Sequence, residues 1–445
     1  MRTYADPVIF IPGITATYLQ DKYPLPPDTV WSVLKKNYER ATLHPNNLKF
    51  EAKQPALVEP GQLFEIAYED LIEELRVQLA PGKGRPDHEC PVYPFGYDWR
   101  KPLSDTVAQL DDFIDGVIQR TRLQRSYHDD GYDGRVNLVG HSMGGLIIAG
   151  LIAKGETKAR KVNRIVTMAT PYQGSYESVL KITTGLGVVG GEEPKARERW
   201  AARLTPALYH LLPSFEDALQ APSGFPSHFF DRKAWQPSVE TTIDAFIKQV
   251  AVRPVRARTL FNKLLSSAKG YLDAAVHELD LAYVGFHPDR WLCILGVDAK
   301  TMVRLKASKN GDAIRYDLTS KDRLNSWKRR NTSPEKWVNT GDGTVPYKGA
   351  VPPFLDLKSI VCITPDDYGT WELKDKVLSG TIGGFHGIMP NMNMLHRMIT
   401  CFLKPFDGEG RPPSPNYIWG RPAPDLPDRD TAWDPPFQSL RRKKD

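Results

Sequence analysis

The stretch Gly140-His141-Ser142-Met143-Gly144 decides the fold of this chain. A strand-like apolar run, 136–139, precedes it, and a helix-like apolar run, 146–149, follows it. Gly-x-Ser-x-Gly between a strand and a helix is typical of a sharp turn that lifts a serine hydroxyl clear of a sheet, because the glycines leave room for the flanking strand and helix. The sequence therefore predicts that Ser142 is a nucleophile, rather than a solvated serine on an ordinary glycine turn.

A serine nucleophile needs a histidine base and a carboxylate that orients the base. In the chain order of α/β-hydrolases both follow the serine, and the acid comes first. Asp342, in the turn-rich run 339–346, and His386, with glycines on both sides, are the preferred candidates. His141 precedes the acid, so chain order excludes it as the base. Because it lies beside the nucleophile, it is expected to support the site.

Each of these candidates has an alternative. Asp298 ends the strand-like run 291–297, and the end of a late strand is a usual position for the acid. His396 also follows the acid, but it lies in the helical pattern 394–402, where a histidine is more often packed or solvated. Chain position alone leaves both open.

Two backbone N–H groups are also required, to hold the oxyanion of the tetrahedral intermediate. The amide of Met143 comes with the serine turn. The second is expected from the loop after the early strand 8–11, where Gly13 permits a turn that aims the Ile14 amide at the serine. The alternative is a plain Pro-Gly turn without a catalytic part.

The aromatic block 93–100 has two interpretations. In the first, Tyr97 and Trp99 line the substrate pocket near the oxyanion loop. In the second, which we favour, Asp98 and Arg100 form a buried ion pair that holds this loop, and Trp99 belongs to the core.

The remaining pattern predicts an α/β class, the α/β-hydrolase fold: a mostly parallel sheet with helices on both faces. Residues 1–175 and 290–405 form the predicted core, 176–289 a cap or lid insertion, and 406–445 a Pro-rich, basic arm or tail.

Within the cap, the apolar residues Leu186 and Val188 of a glycine-rich stretch are predicted to contact substrate; a static subdomain that only supports the core is the alternative. Asn310-Gly311 predicts a hairpin within 301–319. The predicted sheet strands are 8–11, 90–93, 136–139, 165–169, 291–297 and 359–364.

Five blocks carry a family resemblance, and their order along the chain is part of it. The chain resembles the lecithin:cholesterol acyltransferase family, which includes lysosomal phospholipase. The resemblance is thin between residues 176 and 289. The blocks are Phe10-Ile11-Pro12-Gly13, Tyr97-Asp98-Trp99-Arg100-Lys101-Pro102-Leu103, Gly140 to Gly145, Ala169 to Ser175, and Gly341 to Val345.

The resemblance implies a triad of Ser142, Asp342 and His386 and an oxyanion amide from Ile14. It also implies cleavage of an acyl ester, commonly in a phospholipid, with transfer of the acyl group to water or to an alcohol. A soluble carboxylesterase for small or polymeric esters is an alternative of the same class. A lipid-binding protein that keeps the fold without turnover is an alternative of another class.

Composition bounds the partners. The net charge of +6 is too diffuse to indicate nucleic acid, but it suits contact with an anionic membrane surface. Neither the histidines nor the four cysteines show ligand spacing, so no metal or other cofactor is expected. The cysteines lie in apolar runs and are expected to be buried thiols. The N-terminus enters the first strand almost at once, so we expect no signal peptide and a cytoplasmic location, with signal-independent delivery as the alternative.

Overall fold

A computed structural model of the chain describes residues 5–80, 89–129, 131–185, 196–317, 334–369, 372, 375, 384–404 and 420–427. Its strands are β1 Val8–Ile11, β2 Thr17–Asp21, β3 Asp28–Trp31, β4 Leu43–His44, β5 Asn47–Glu51, β6 Val58–Leu63, β7 Val92–Pro94, β8 Val136–His141, β9 Val162–Met168, β10 Leu219–Gln220, β11 Trp291–Gly296, β12 Leu305–Asn310, β13 Ala313–Asp317 and β14 Ile360–Ile363.

The α-helices among these residues are α1 Tyr38–Ala41, α2 Glu65–Gln78, α3 Leu103–Arg122, α4 Arg125–Asp129, α5 Met143–Ile152, α6 Glu156–Ala159, α7 Tyr176–Thr184, α8 Ala196–Arg203, α9 Pro206–Tyr209, α10 Pro237–Val250, α11 Ala257–Leu272, α12 Tyr347–Ala350, α13 Gly384–Ile388 and α14 Asn393–Leu403. A π-helical turn, Asp273–His277, continues α11, and short 3-10 turns lie at Arg232–Ala234, Pro288–Arg290, Pro334–Asn339, Leu357–Ser359, Pro365–Asp367 and Met389–Asn391. No helix in the described part of the chain is both long and apolar enough to cross a membrane.

Six strands form one sheet in the order β14-β11-β9-β8-β1-β7, and all five pairings between them are parallel. Each of the six predicted strand runs supplies one of these strands. The central strands β1, β8 and β11 are buried along their whole length, as expected for a parallel sheet covered on both faces.

Successive residues of each strand enter two different cores. On one face, Ile9 and Leu138 pack with the apolar sides of α3 and α5. On the other face, Phe10 and Val139 pack with α2 and α14. The alternation follows from the two-residue period of strand side chains. Because the strands are parallel, the carboxyl ends of β1, β8, β9 and β11 lie at one edge of the sheet.

Helices α7 to α11 share a third core with the hairpin β12–β13. Short strand β10 pairs with β12, so the hairpin is a part of this helical layer. The hairpin that Asn310-Gly311 predicts is confirmed, and Gly311 adopts the left-handed φ of 60° that the turn requires.

A second excursion, between β1 and α2, was not predicted. It contains the antiparallel sheet β3-β2-β6 and the pair β4–β5. Its strands are two to six residues long. β2 alternates between buried and half-buried positions, but two of its three buried residues are Thr17 and Asp21, so the sequence shows little apolar periodicity.

Arg100 joins this excursion to the block before α3. Its guanidinium is completely buried and makes a bidentate contact with Asp98, Nε to Oδ1 at 2.8 Å and Nη2 to Oδ2 at 2.7 Å. It also donates to Glu51 at 2.8 Å and to the Ala41 carbonyl at 3.2 Å. Burial alone would raise the pKa of the Asp98 carboxyl, but the Arg100 charge lowers that pKa below its ordinary value. The interpretation of this pair as a loop clamp agrees with these contacts.

Replacing Arg100 with methionine is expected to destabilise the protein by about 3–5 kcal/mol, because two buried carboxylates would lose their partner. The measurement is equilibrium unfolding in urea. Arg135→Met is the matched control, since its pair with Asp133 is over a third exposed on both sides, and it should cost about 1 kcal/mol or less. Equal effects of the two substitutions would contradict the clamp.

The described part of the predicted tail, 420–427, packs against the edge of the sheet. Arg421 pairs with Cys362 of β14 through their backbones, and its guanidinium makes a bidentate contact with Asp367. All four cysteines of the chain are free and buried, which confirms the prediction of buried thiols.

Candidate active site

Ser142 lies at the turn between β8 and α5, at the carboxyl edge of the sheet. Its backbone adopts φ 53° and ψ −126°, a conformation that non-glycine residues rarely adopt, and its N–H bonds the Met168 carbonyl at 2.9 Å. A Cβ on Gly144 would lie 2.2 Å from the Ile11 carbonyl oxygen, and one on Gly145 would lie 1.9 Å from Thr170 Oγ1. The strained turn therefore needs these glycines, because the backbone of α5 touches both neighbouring strand ends.

The side chains of Ser142, His386 and Asp342 are connected in a row. The Ser142 hydroxyl lies 3.0 Å from His386 Nε2, and His386 Nδ1 lies 2.7 Å from Asp342 Oδ2. A carboxylate can only accept, so Nδ1 carries the proton and Nε2 is free to accept from the serine. The three residues lie 244 and 44 positions apart in sequence, and all are buried.

The loop that carries Asp342 fixes the direction of its carboxylate. Oδ1 accepts the backbone N–H groups of Thr344 at 2.9 Å and of Val345 at 2.7 Å, which leaves Oδ2 for the histidine. The His386 N–H also bonds the Asp342 carbonyl at 3.0 Å. The acid and the base are thus held by main-chain contacts as well as by their side chains.

The alternatives Asp298 and His396 lie elsewhere. Asp298 lies two residues beyond the end of β11 and has a positive φ of 62°. It donates its N–H to Thr340 Oγ1 and lies within electrostatic reach of the Arg421 guanidinium. His396 lies in α14 and donates from Nε2 to the Pro390 carbonyl at 2.7 Å, and burial lowers its pKa. Of the two acids and two histidines, the structure brings Asp342 and His386 to Ser142.

The loop after β1 lies directly against the serine. A Cβ on Gly13 would be 3.0 Å from Ser142 Cβ, and Ile14 lines the same cavity as the serine. No described residue accepts a hydrogen bond from the Ile14 N–H. The Met143 N–H is the first of helix α5, where helical geometry leaves it without an intrahelical partner.

Aromatic side chains hold the remaining backbone of this loop. Tyr97 Oη donates to the Pro12 carbonyl at 2.9 Å. Trp31 Nε1 donates to the Thr15 carbonyl at 3.0 Å, and Trp99 Nε1 donates to the Thr17 carbonyl at 3.2 Å. Tyr97 is completely buried beneath the loop, whereas Trp99 also lines the cavity. Of the two aromatic residues predicted to contact substrate, Tyr97 is therefore placed behind the loop and Trp99 at the cavity wall.

A cavity of about 360 Å³ opens onto Ser142. This volume lies within the range of roughly 300–1,000 Å³ that is common for small-molecule sites. One wall comes from the excursion between β1 and α2 and from the first turn of α2, and the other comes from α7, α8 and residues 205–211, which include α9. Leu186 and Val188, predicted to contact substrate, lie outside the described residues. The apolar lining includes Trp31, Phe64, Ala67, Leu208, Leu211 and Ile388.

Four charged side chains also line this cavity: Lys36, Glu177, Lys181 and Glu198. They influence one another electrostatically, since Lys36 is affected by Lys181 and Glu198, and Lys181 by both glutamates. Burial is the main cause that lowers the pKa of each lysine below its ordinary value. The cavity therefore combines an apolar wall with one cluster of charges, which we call the charged cluster.

The sequence analysis missed Tyr68, which lies behind Gly13, and the contacts of His141. Tyr68 is an ordinary buried position of amphipathic helix α2, and its contacts to the site span 55 and 73 residues, so no local signal reveals them. Among the described residues, no three His, Cys, Asp or Glu side chains are grouped so that they could hold a metal ion.

Comparison with known proteins places the chain in a family. The family model described as lecithin:cholesterol acyltransferase matches residues 88–350, which is more than half of the sequence. The chain belongs to this family. The predicted resemblance is thereby confirmed. Membership of the lecithin:cholesterol acyltransferase family identifies the protein as a lipid ester hydrolase or acyltransferase. No curated protein matches the sequence significantly.

One of the similar solved structures shows the same fold. The crystal structure of a Tle4–Tli4 complex matches with 17% identity over 77% of this chain and 88% of the other, with a TM-score of 0.54. The Bacillus licheniformis lipase BlEst2 in mature form matches with 11% identity over 90% and 93% of the chains, at a TM-score of 0.35. The Legionella pneumophila phospholipase PlaB in complex with thio-NAD matches with 12% identity over 71% and 67%, at 0.22. At 17% identity the first likeness shows the α/β-hydrolase fold alone.

Proposed function

We propose that this member of the lecithin:cholesterol acyltransferase family is a serine-dependent enzyme that acts on phospholipid esters through an acyl-enzyme. The observation that carries the proposal is the row Ser142–His386–Asp342, with contacts of 3.0 and 2.7 Å, at the wall of an apolar cavity. A serine hydroxyl is a weak nucleophile at neutral pH, and a histidine base with an orienting carboxylate is the arrangement that activates it.

In the first half-reaction, Ser142 Oγ attacks the acyl carbonyl carbon while His386 Nε2 takes the serine proton. Asp342 Oδ2 accepts a hydrogen bond from the Nδ1–H of the resulting imidazolium and holds the ring in place. The N–H groups of Ile14 and Met143 hold the oxyanion. His386 then gives its proton to the leaving alcohol oxygen as the tetrahedral intermediate collapses to the acyl-enzyme.

In the second half-reaction, water or an alcohol attacks the acyl-enzyme. His386 Nε2 takes the proton of the attacking O–H and returns it to Ser142 Oγ when the acyl group leaves. A lipid acceptor would yield an acyltransferase, and water would yield a hydrolase. Contact with an anionic membrane surface is part of the proposal, and the excess of basic residues supports it.

The charged cluster supports a phospholipid rather than a neutral ester. An apolar wall suits acyl chains, and two lysines beside it suit the phosphate of a head group, because ammonium groups bind phosphate through charge-assisted hydrogen bonds. The two glutamates would accept an amine on the same head group. A neutral glyceride has no charge to offer these four side chains.

Lys36→Met and Lys181→Met are each expected to lower kcat/KM on phospholipid vesicles by roughly 10-fold, the lower end for a lost hydrogen bond to a charged group. Hydrolysis of a short p-nitrophenyl ester should change little. Lys35→Met is the matched control, because Lys35 is half exposed, pairs with Asp28, and does not line the cavity. An equal loss on both substrates would contradict a head-group contact.

The test of the proposed function uses a fluorophosphonate probe, which reacts only with an activated serine. Labelling should occur at Ser142 and should vanish in Ser142→Ala. Phospholipid vesicles, triglyceride emulsions and soluble esters are then compared on one preparation, with Ser142→Ala as the blank. Labelling without phospholipid turnover would favour a soluble carboxylesterase, and no labelling would favour a binding protein without turnover.

A further inference from the structure

Tyr68 connects the loop after β1 to the residue before the nucleophile. Its phenol is fully buried, and its oxygen accepts the Gly13 N–H at 3.2 Å and lies 2.9 Å from His141 Nδ1. The ring is held by Phe10, with ring centres 4.8 Å apart. One hydroxyl group thus contacts both the loop that carries Ile14 and the strand that carries Ser142.

His141 continues this connection to the candidate base. Its Nε2 lies 3.0 Å from the main-chain oxygen of His386, and the two rings lie 5.0 Å apart. A carbonyl oxygen can only accept, so His141 Nε2 carries a proton. Burial, and then the neighbouring His386, hold the pKa of His141 well below its usual value, so the ring is neutral and its Nδ1 is an acceptor.

These facts give the three hydrogen bonds a single direction. The Gly13 N–H donates to Tyr68 Oη, the Tyr68 hydroxyl donates to His141 Nδ1, and His141 Nε2–H donates to the His386 carbonyl. Tyr68 and His141 each use one donor and one acceptor in this row, and all four residues of the row are buried. Such fully satisfied polar networks fix one arrangement of the groups that they connect.

Two contacts together set the direction of the Ile14 N–H: Tyr68 holds the peptide before Gly13, and the Ala16 N–H holds the peptide after it. Gly13 is held at its N–H by Tyr68 and at its carbonyl by the Ala16 N–H, at 3.4 Å. The Gly13 carbonyl and the Ile14 N–H belong to the same planar peptide, so fixing one orients the other.

We propose that Tyr68 and His141 are positioning residues that set the Ile14 amide and the His386 main chain at fixed places relative to Ser142. The inference rests on the serine mechanism proposed above and assigns to it two residues that do not touch the reacting atoms. Their effect is expected in the transition state, because the oxyanion forms only there.

Tyr68→Phe removes the hydroxyl and leaves the ring. The expected result is a loss of kcat of roughly 10-fold to 100-fold with KM unchanged, somewhat less than the 10²–10³ typical when an oxyanion donor is removed outright. Tyr127→Phe is the matched control. Its hydroxyl is also buried and donates to the Ala5 carbonyl at 2.9 Å, at the opposite edge of the sheet, so its kcat should stay at the wild-type value.

Octylboronic acid distinguishes positioning from a general loss of structure. Its adduct with Ser142 is tetrahedral and places an oxygen where the oxyanion forms, so its inhibition constant in Tyr68→Phe should rise by the same factor by which kcat/KM falls. Rates are normalised to active sites titrated with the fluorophosphonate. A lower titrated fraction with a normal rate per site, or an unchanged inhibition constant, would overturn the proposal.

A second measurement uses the unaltered protein. In ¹⁵N-histidine spectra, His141 should be the neutral tautomer with its proton on Nε2; a proton on Nδ1 would overturn the directions assigned above. The failures are distinguishable: no fluorophosphonate labelling of the wild type would overturn the serine mechanism. Normal labelling with an unchanged kcat in Tyr68→Phe would overturn the positioning role alone.

Discussion

Ser142→Ala and His386→Ala are each expected to lower kcat/KM by about 10⁴-fold or more while the fold stays intact. The serine lies at a strained turn that places its hydroxyl 3.0 Å from the imidazole, and neither alanine can supply the nucleophile or the base. The measurement is steady-state turnover of a soluble ester and of phospholipid vesicles. Because the residues of a triad act as a unit, the double variant should be about as inactive as either single variant.

His396→Ala is the control for the base. His396 bonds a main-chain carbonyl of its own segment, so its loss should reduce stability more than activity per folded molecule. Circular dichroism and titration of active sites separate the two effects. If His386→Ala kept substantial activity while His396→Ala lost it, the base would have to be reassigned.

Asp342→Asn is expected to cost about 10⁴-fold in kcat, comparable to the loss of the orienting carboxylate in other serine triads. The amide has nearly the shape of the carboxylate, so the two N–H bonds from Thr344 and Val345 can be kept through its oxygen. Its NH₂ group then faces His386 Nδ1, which forces the ring into the wrong tautomer and removes the negative charge beside the imidazolium.

Asp298→Asn is the matched control, because this carboxylate also lies buried at the end of a sheet strand. It should leave kcat within a few-fold of the wild type. A larger loss in Asp298→Asn than in Asp342→Asn would transfer the acid to the strand end and would require the loop of Asp342 to rearrange in solution.

The sheet could be predicted from the sequence because its strands are short, predominantly apolar runs between clear turn signals. Each of the six runs forms a strand, and Gly-x-Ser-x-Gly lies at the predicted junction between β8 and α5. The family and the α/β-hydrolase fold were likewise predicted. The choice between Asp298 and Asp342 was not decided by chain position, since both lie near the carboxyl edge of the sheet and only the loop contacts orient one of them toward His386.

The walls of the cavity could not be predicted, for a physical reason. The excursion between β1 and α2 folds into small antiparallel sheets whose strands are only two to six residues long, too short to show a clear period. The sequence pattern predicts Tyr68 to be a core residue of an amphipathic helix. Its hydroxyl contacts the site only through Gly13 and His141, which lie 55 and 73 residues away in sequence. Tyr97 was expected at the cavity, but the side chain points beneath the loop to the Pro12 carbonyl.

Much of the cavity wall comes from two excursions that leave the sheet, whereas Ser142, Asp342 and His386 lie at the carboxyl edge of the sheet. The reacting side chains and most of the residues that contact the substrate therefore lie in different parts of the chain. We expect mutations between β1 and α2, or in α7 and α8, to change which ester is accepted without disturbing the reacting groups. Directed evolution toward a new substrate should accordingly accumulate its changes in these two excursions. Exchanging one of them between homologues should transfer the substrate preference as well.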